Sequence, residues 1–141
     1  MTRQKWQSLN LSNHSSYYFM DMNKEITRQK HEIDAADRAV GRIATQVAMC
    51  LRGKNKPSFV PNVDGGDYVT VINASKVKFT GKKLVQKDYY HHTMHRGGLQ
   101  RTAMKKIFDL NPGEVLRKAV YGMLPKNKLR DEMMKRLSIK N

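Results

Sequence analysis

Three histidines within a short stretch of the chain could bind either a metal ion or a nucleic acid. The stretch contains His91, His92, His95, Arg96, Gly97 and Gly98. Imidazole is a common zinc ligand, but the spacing matches no closed zinc site, and Asp88 is the only carboxylate nearby in the sequence. Donation from imidazole to phosphate or 2′-hydroxyl groups fits better, and the two glycines let the backbone approach RNA closely. The alternative for the glycines is a plain turn.

Lysines and aromatic rings precede this histidine cluster. Lys82 and Lys83 end a predicted turn, and Lys87 follows just before the pair Tyr89 and Tyr90. Lysines neutralise phosphates, and flat rings stack on unpaired bases. Half-burial of either tyrosine at a strand edge is an equally good interpretation.

A third group of cations follows an apolar helix. The sequence AVYGMLPKNKLR occupies residues 119–130, and Pro125 ends the helix. The apolar residues at helical spacing are Val115, Leu116, Ala119, Val120, Met123 and Leu124. Lys126, Lys128 and Arg130 come directly after this stem, which predicts a rigid tip that presents positive charge to a polyanion.

A fourth group lies at the end of another predicted helix. Arg52, Lys54 and Lys56 could neutralise phosphates, although a cation near a helix C-terminus also stabilises the helix dipole. Asp64 and Asp67, in the sequence DGGD, could hold magnesium in a nuclease. They flank a glycine turn, however, where aspartate is favoured for local hydrogen bonding, and a structural turn is the better interpretation.

Composition supports a nucleic-acid partner. The chain has 141 residues with 27 Lys and Arg against 12 Asp and Glu, a formal net charge of +15. The charge is segregated: residues 76–101 carry seven cations against Asp88, and residues 117–141 carry eight against Asp131 and Glu132. Residues 31–75 and 102–116 are neutral. Ordinary solvated lysines are the competing interpretation of these two basic segments.

Length and residue usage predict one domain in a reducing compartment. A chain of this length suits a single core, and the only cysteine, Cys50, cannot form an internal disulfide. No segment approaches the apolar length of a membrane span, so a soluble protein is expected. No G-x-G-x-x-G follows the first predicted strand and no G-x-x-x-x-G-K-[ST] occurs, so no nucleotide-binding enzyme is predicted. No catalytic residue, cofactor or metal is predicted either, since the histidine spacing and the DGGD turn both favour other interpretations.

The elements that must position these residues alternate between strand and helix. A strand at residues 31–35 precedes a helix capped by Asp37 and ended by Gly53. A loop over residues 54–67 leads to YVTVIN at 68–73, the best strand candidate, which the pattern predicts to be buried on both faces. Strand, helix and strand in this order predict a parallel sheet.

The second half of the chain is predicted to be mainly helical. Thr102 can cap a helix that buries Ala103, Met104, Ile107 and Phe108. Asn111, Pro112 and Glu114 form a second start signal. A last short helix through Leu129, Met133 and Leu137 precedes a possible strand at residues 138–140.

These residues together resemble a known family. The blocks IDAADRAVGRIATQVAMCLRGKNKPSFVPNVDGGDYVTVINASKVKFTGKK, KDYYHHTMHRGGL and AVYGMLPKNKLR follow one another in the order found in the large-subunit ribosomal protein thirteen family. The similarity covers residues 31–139. It implies an α/β fold with three layers, α/β/α, around a small four-stranded parallel sheet, with basic loops and C-terminal helices.

The resemblance also implies a function. We expect a non-catalytic constituent of the large ribosomal subunit in the cytoplasm, bound to large-subunit rRNA and neighbouring ribosomal proteins and active early in assembly. The alternative is a free RNA-binding regulator or RNA chaperone that uses the same surface. The residues expected to bind RNA are Arg52, Lys54, Lys56, Lys82, Lys83, Lys87, His91, His92, Arg96, Gly97, Gly98, Arg101, Lys126, Lys128 and Arg130.

Residues 1–30 form an N-terminal extension ahead of a single domain at residues 31–141. The first twenty residues contain Arg3, Lys5 and four serines but no acid, as in organelle transit peptides. A true translation start at Met20 or Met22 is the favoured alternative, and a disordered basic arm that orders on rRNA is a third.

Overall fold

The computed structural model of the chain describes residues 26–141, so the predictions for residues 1–25 lie outside the described part. Its strands are β1 (Lys30–Asp34), β2 (Tyr68–Ile72), β3 (Asp88–His92), β4 (Leu99–Ala103) and β5 (Leu137–Ile139). Its helices are α1 (Val40–Arg52), α2 (Lys83–Gln86), α3 (Met104–Leu110), α4 (Pro112–Met123) and α5 (Leu129–Lys135), with a short 3-10 helix at Ala74–Lys76. The predicted α/β class is confirmed.

Three strands form a parallel sheet in the order β1, β2, β5. One face of this sheet carries the core residues Ile33, Val69, Val71 and Leu137, whereas side chains on the other face alternate with them and stay partly or fully exposed. The prediction that residues 68–73 are buried on both faces is therefore wrong. The four-stranded, three-layered arrangement is not confirmed in the described part of the chain.

Helix α1 packs its apolar side against α4 and the core face of the sheet. It ends as predicted at Gly53, whose φ of 75° is a left-handed conformation that glycine adopts without strain. Asp37 does not cap it: the helix begins at Val40, after Ala39, without a side-chain cap. The backbone N–H of Asp37 donates to the carbonyl oxygen of Lys76, so this stretch pairs with the chain after β2 instead.

The start of α4 follows the sequence signal. Asn111 accepts a hydrogen bond from the backbone N–H of Gly113 at 3.1 Å, and Pro112 is the first helical residue. Of the predicted apolar stem, Val115, Leu116, Val120 and Leu124 are buried. Met123 is 46% exposed, so it belongs to the surface and not to the core.

Strands β3 and β4 form a separate antiparallel hairpin that the sequence analysis did not predict. Thr102, the predicted cap of α3, lies in β4 opposite Tyr89, and α3 begins after Ala103 without a side-chain cap. The ladder continues to the pair of Asp88 with Ala103, which keeps Thr102 in extended conformation. In the described residues no helix is long and apolar enough to cross a membrane.

Candidate nucleic-acid interface

The histidine cluster lies at the end of the β3–β4 hairpin. His91 and His92 are the last residues of β3, and His95 and Arg96 lie in the connecting loop, all with exposed side chains. Among the described residues, no group of three or more His, Cys, Asp or Glu side chains is placed to hold a metal ion. The structure therefore presents these imidazoles to solvent at the tip of a two-stranded projection.

The two glycines of this loop are explained by the loop itself. Gly97 has a φ of 70°, in the left-handed region. A Cβ at Gly98 would collide with the Thr93 hydroxyl, and the carbonyl oxygen of Gly98 accepts a hydrogen bond from the Thr93 N–H at 2.8 Å. This geometry supports the turn interpretation for both residues, and their predicted contact with RNA stays a prediction.

The lysines before the hairpin are exposed. Gly81 has a φ of 67°, and Lys82 and Lys83 follow it at the start of the short helix α2. The Lys87 ammonium lies 5.4 Å from the centre of the Tyr89 ring, and Lys118 of α4 lies at the same distance from that ring. Lys118 was not among the predicted residues, and it links the base of the hairpin to α4.

The two adjacent tyrosines have different environments because successive residues of a strand point to opposite faces. Tyr89 is half-buried against α4, and burial followed by the charge of Glu114 raises the pKa of its hydroxyl. Tyr90 is 63% exposed on the other face of the hairpin. Sequence reasoning left the roles of the two rings open, and the structure separates them.

Arg101 lies opposite Tyr90 in the hairpin and forms an ion pair with Asp88. Its Nε lies 2.6 Å from Oδ2 of Asp88. The hydrogen bond and charge of Asp88, and then the charge of Tyr90, raise the pKa of the Arg101 guanidinium. Because the Arg101 side chain is largely exposed, this pair orients the arginine more than it stabilises the fold.

At the C-terminal tip, the three predicted cations differ in their contacts. The Arg130 guanidinium donates to the carbonyl oxygens of Pro125 at 2.9 Å and Leu124 at 3.2 Å, and its central carbon lies 4.6 Å from the centre of the Tyr121 ring. Arg130 therefore holds the turn between α4 and α5. Lys126 and Lys128 are exposed and form no ion pair or side-chain hydrogen bond with the described residues.

The cations at the end of α1 also divide by contact. Lys54 is exposed, and the guanidinium of Arg52 lies 5.1 Å from the centre of the Phe59 ring. The Lys56 ammonium donates to the carbonyl oxygen of Gly65 at 2.9 Å and forms an ion pair with Asp67. The phosphate role predicted for Lys56 is untested, and the geometry gives this side chain a partner inside the fold.

The DGGD segment is a structural junction. Asp67 is 5% exposed and accepts hydrogen bonds from Lys56, from the Gln29 N–H at 2.9 Å and from His31 Nε2 at 3.0 Å. Burial alone would raise the pKa of Asp67, but these hydrogen bonds outweigh it and lower the pKa overall. A Cβ at Gly66 would collide with the carbonyl oxygen of Leu51, so the segment lies directly against the end of α1.

Asp64 has a partner that sequence reasoning did not identify. Both of its carboxylate oxygens accept hydrogen bonds from Arg136, which is 7% exposed and also donates to the carbonyl oxygen of Leu51 at 3.2 Å. In the sequence, Arg136 is one cation of the basic segment 117–141, with nothing to distinguish it from its neighbours. The structure places it inside the fold, where it joins α5 to α1 and to the DGGD segment.

Comparison with known proteins identifies a family with the same sequence pattern. The family profile described as Ribosomal protein L13 matches residues 28–140. A large ribosomal subunit protein uL13 from Citrifermentans bemidjiense is 50% identical over 116 residues, which cover 82% of each chain. The uL13 protein of Nitratidesulfovibrio vulgaris is 47% identical over 121 residues, covering 86% of this chain and 84% of its own. That of Clostridioides difficile is 50% identical over 115 residues, covering 82% and 80%.

Proposed function

The chain belongs to the ribosomal protein L13 family, and from this we propose that it is a structural, non-catalytic constituent of the large ribosomal subunit. The observation that carries the proposal is the family match over residues 28–140, almost the whole described part of the chain. Relatives that are about half identical to this chain are named as large-subunit proteins, and their alignments cover more than four fifths of both chains. The segregated positive charge supports large-subunit rRNA as the partner.

The proposed mechanism is neutralisation of phosphates where rRNA segments pack together. Exposed cations that make no ion pair with the described residues are suited to this role, because contact with RNA costs them no internal partner. They are Lys54, Lys82, Lys83, Arg96, Lys126 and Lys128, and Lys87 is also exposed but lies 5.4 Å from the centre of the Tyr89 ring. His91 and His92 would add hydrogen-bond donors at the hairpin end, and Gly97 and Gly98 would shape its loop.

Four other predicted residues also make contacts within the fold. Lys56, Arg101 and Arg130 each contact acceptors within the fold, and Arg52 stacks on Phe59. They hold a loop or a strand in place so that neighbouring cations meet the phosphates in a fixed arrangement. A rigid arrangement of charge lowers the conformational cost of binding, which is how a small protein fixes the relative position of two RNA segments.

This role extends to assembly. A protein that neutralises phosphates between rRNA segments stabilises their packing before later components arrive, so we propose that the chain acts early in assembly of the cytoplasmic large subunit. Neighbouring ribosomal proteins are then its second class of partner.

The test is retention in the large subunit. Native subunits are separated on a sucrose gradient after a high-salt wash, and the protein is quantified by mass spectrometry against other large-subunit proteins. Stoichiometric retention is the expected result. Loss of the protein into the soluble fractions would contradict the proposal and favour the alternative, a free RNA-binding regulator or chaperone, because such a protein is held only by screened charge.

A further inference from the structure

Within residues 26–141, no element packs over the outer face of the β3–β4 hairpin. Tyr90, His92, Leu99 and Arg101 share this face by strand alternation and cross-strand register, and all four are exposed. The opposite face meets α4 through Tyr89. The Tyr90 ring is 63% exposed in the described structure, and tyrosine is enriched at interfaces because it combines a large apolar ring with a polar hydroxyl.

The side chain opposite this ring is held in one orientation. Tyr90 and Arg101 are directly paired across the hairpin, a register that brings Cβ atoms to about 5 Å. The Arg101 guanidinium is held by Asp88, with Nε at 2.6 Å from the carboxylate. A planar ring and an oriented planar guanidinium are thus neighbours on one face of the hairpin.

The charge around this surface favours a polyanion as its partner. Residues 76–101 carry seven Lys and Arg against Asp88, and that one carboxylate is already engaged by Arg101. An approaching polyanion would be attracted by Lys87 and Arg96, whereas a basic protein would be repelled. Exposed aromatic rings among cations are the usual arrangement for stacking unpaired bases.

We propose that Tyr90, with Arg101 beside it, stacks on one unpaired base of the large-subunit rRNA. The inference rests on the proposed function and deepens it, because it assigns a base contact where the exposed lysines supply only phosphate contacts. Asp88 acts as a positioning residue that orients the guanidinium plane. Tyr89, one residue away, faces α4 and takes no part.

The test compares Tyr90→Ala and Tyr90→Phe in the full-length chain, with binding to protein-free large-subunit rRNA measured over a range of KCl concentrations. Loss of a stacked ring weakens affinity by about 5- to 150-fold. We expect Tyr90→Ala to fall in this range with an unchanged salt slope, because no phosphate contact is lost, and Tyr90→Phe to bind as the wild type does. Tyr68→Ala, which removes an exposed ring from the parallel sheet, is the matched control and should leave affinity unchanged.

Chemical probing of the rRNA gives a second readout. One unpaired nucleotide should be protected by the wild type and by Tyr90→Phe but not by Tyr90→Ala. Thermal unfolding of the variants checks that they fold alike, which we expect because the Tyr90 ring is mostly exposed.

Each other outcome overturns the inference in a distinguishable way. If the wild type does not bind rRNA, the proposed function fails and the inference fails with it. If the wild type binds and Tyr90→Ala binds equally well, the inference alone fails. A loss in Tyr90→Phe as large as in Tyr90→Ala would assign a hydrogen bond by the hydroxyl instead of stacking. Normal binding to free rRNA by Tyr90→Ala, with loss from assembled subunits, would assign the face to a neighbouring protein.

Discussion

Two buried or half-buried aspartates beside the parallel sheet form ion pairs with cations of the fold, whereas most cations of the basic hairpin segment, residues 76–101, are exposed. Around the sheet, Asp64 holds Arg136, and Asp67 holds Lys56 and His31. In the hairpin segment, Asp88 is the only acidic residue, and it holds Arg101. The same residue types therefore stabilise the fold in one region and remain available to a partner in the other.

A basic residue can therefore have one of two roles: it stabilises the fold through an internal partner, or it remains exposed and can bind a polyanion. Net charge per segment identifies where a polyanion can bind, but it does not identify which cations would bind it. Arg136 lies in the basic segment 117–141 and is buried against Asp64, while Lys126 in the same segment is exposed. The internal partner, which only the structure reveals, decides the role.

Breaking the buried pair should give the largest effect. Arg136→Met removes the guanidinium from both oxygens of Asp64 and leaves that partly buried carboxylate with Arg28, whose Nη2 lies 3.9 Å away. Removing one partner of a buried pair typically costs about 3–5 kcal/mol, and we expect a loss in this range in urea unfolding. Arg117→Met, at an exposed position of α4, is the control and should change stability by less than about 0.5 kcal/mol. Equal stability of both variants would show that Arg136 is not a structural residue.

The Asp67 junction should make the sheet region sensitive to acid. The pKa of Asp67 in the folded protein is lowered, because hydrogen bonds from Lys56, Gln29 and His31 outweigh the effect of burial. A lowered folded pKa contributes stability above the unfolded value of about 3.9, and this contribution is lost as the pH falls through the folded pKa. Asp67→Asn should therefore be less stable than the wild type at neutral pH, and the difference should shrink below about pH 4.

The measurement is the urea midpoint of both proteins from neutral pH to about pH 2.5. Asp109→Asn, an exposed change in α3, should follow the wild type throughout. A constant difference between Asp67→Asn and the wild type across this range would contradict the linkage, because it would mean that the carboxylate gains nothing from its partners in the folded state.

Local signals in the sequence predicted the elements around the sheet well. Gly53 ends α1, and Asn111 with Pro112 begins α4, because each of these signals acts on backbone groups within a few residues. The pair of Asp64 with Arg136 joins residues 72 positions apart, and no local pattern encodes such a contact. The failed prediction of Asp37 as a cap has a related reason. The backbone N–H of Asp37 donates to the carbonyl oxygen of Lys76, which is distant in the sequence.

The sequence does not predict the hairpin because its two strands lack a regular alternation of apolar and polar residues. DYYHH and LQRTA are largely exposed, so alternation between buried and exposed positions, the main signal of a strand, is weak in them. Their cations and aromatic rings nevertheless led to the prediction of an RNA contact here, which stays a prediction. The sequence alone could not separate Tyr89, Lys56 and Arg130, which contact other parts of the fold, from their exposed neighbours.

The C-terminal tip tests the distinction between paired and exposed cations within one short segment. The expected changes in stability are the smallest of those predicted here. The double variant Lys126→Gln, Lys128→Gln removes two exposed cations and should leave the unfolding free energy within about 0.5 kcal/mol of the wild type. If both contact phosphates, the slope of log affinity for rRNA against log salt should flatten by about 0.7–0.9 per lost contact. Arg130→Gln should instead change stability: it removes the hydrogen bonds to the carbonyl oxygens of Pro125 and Leu124, and we expect the unfolding free energy to fall by about 1 kcal/mol.

The matched control is Lys105→Gln, Lys106→Gln, which removes two exposed cations from the neutral stretch 102–116. An equal flattening in this control would mean that only net charge matters, because a diffuse field does not depend on where the charge sits. An unchanged slope in the tip variant would remove Lys126 and Lys128 from the interface. A flatter slope in the tip variant alone would show that exposed cations on a fixed tip bind phosphates individually, which the paired cations around the sheet are not free to do.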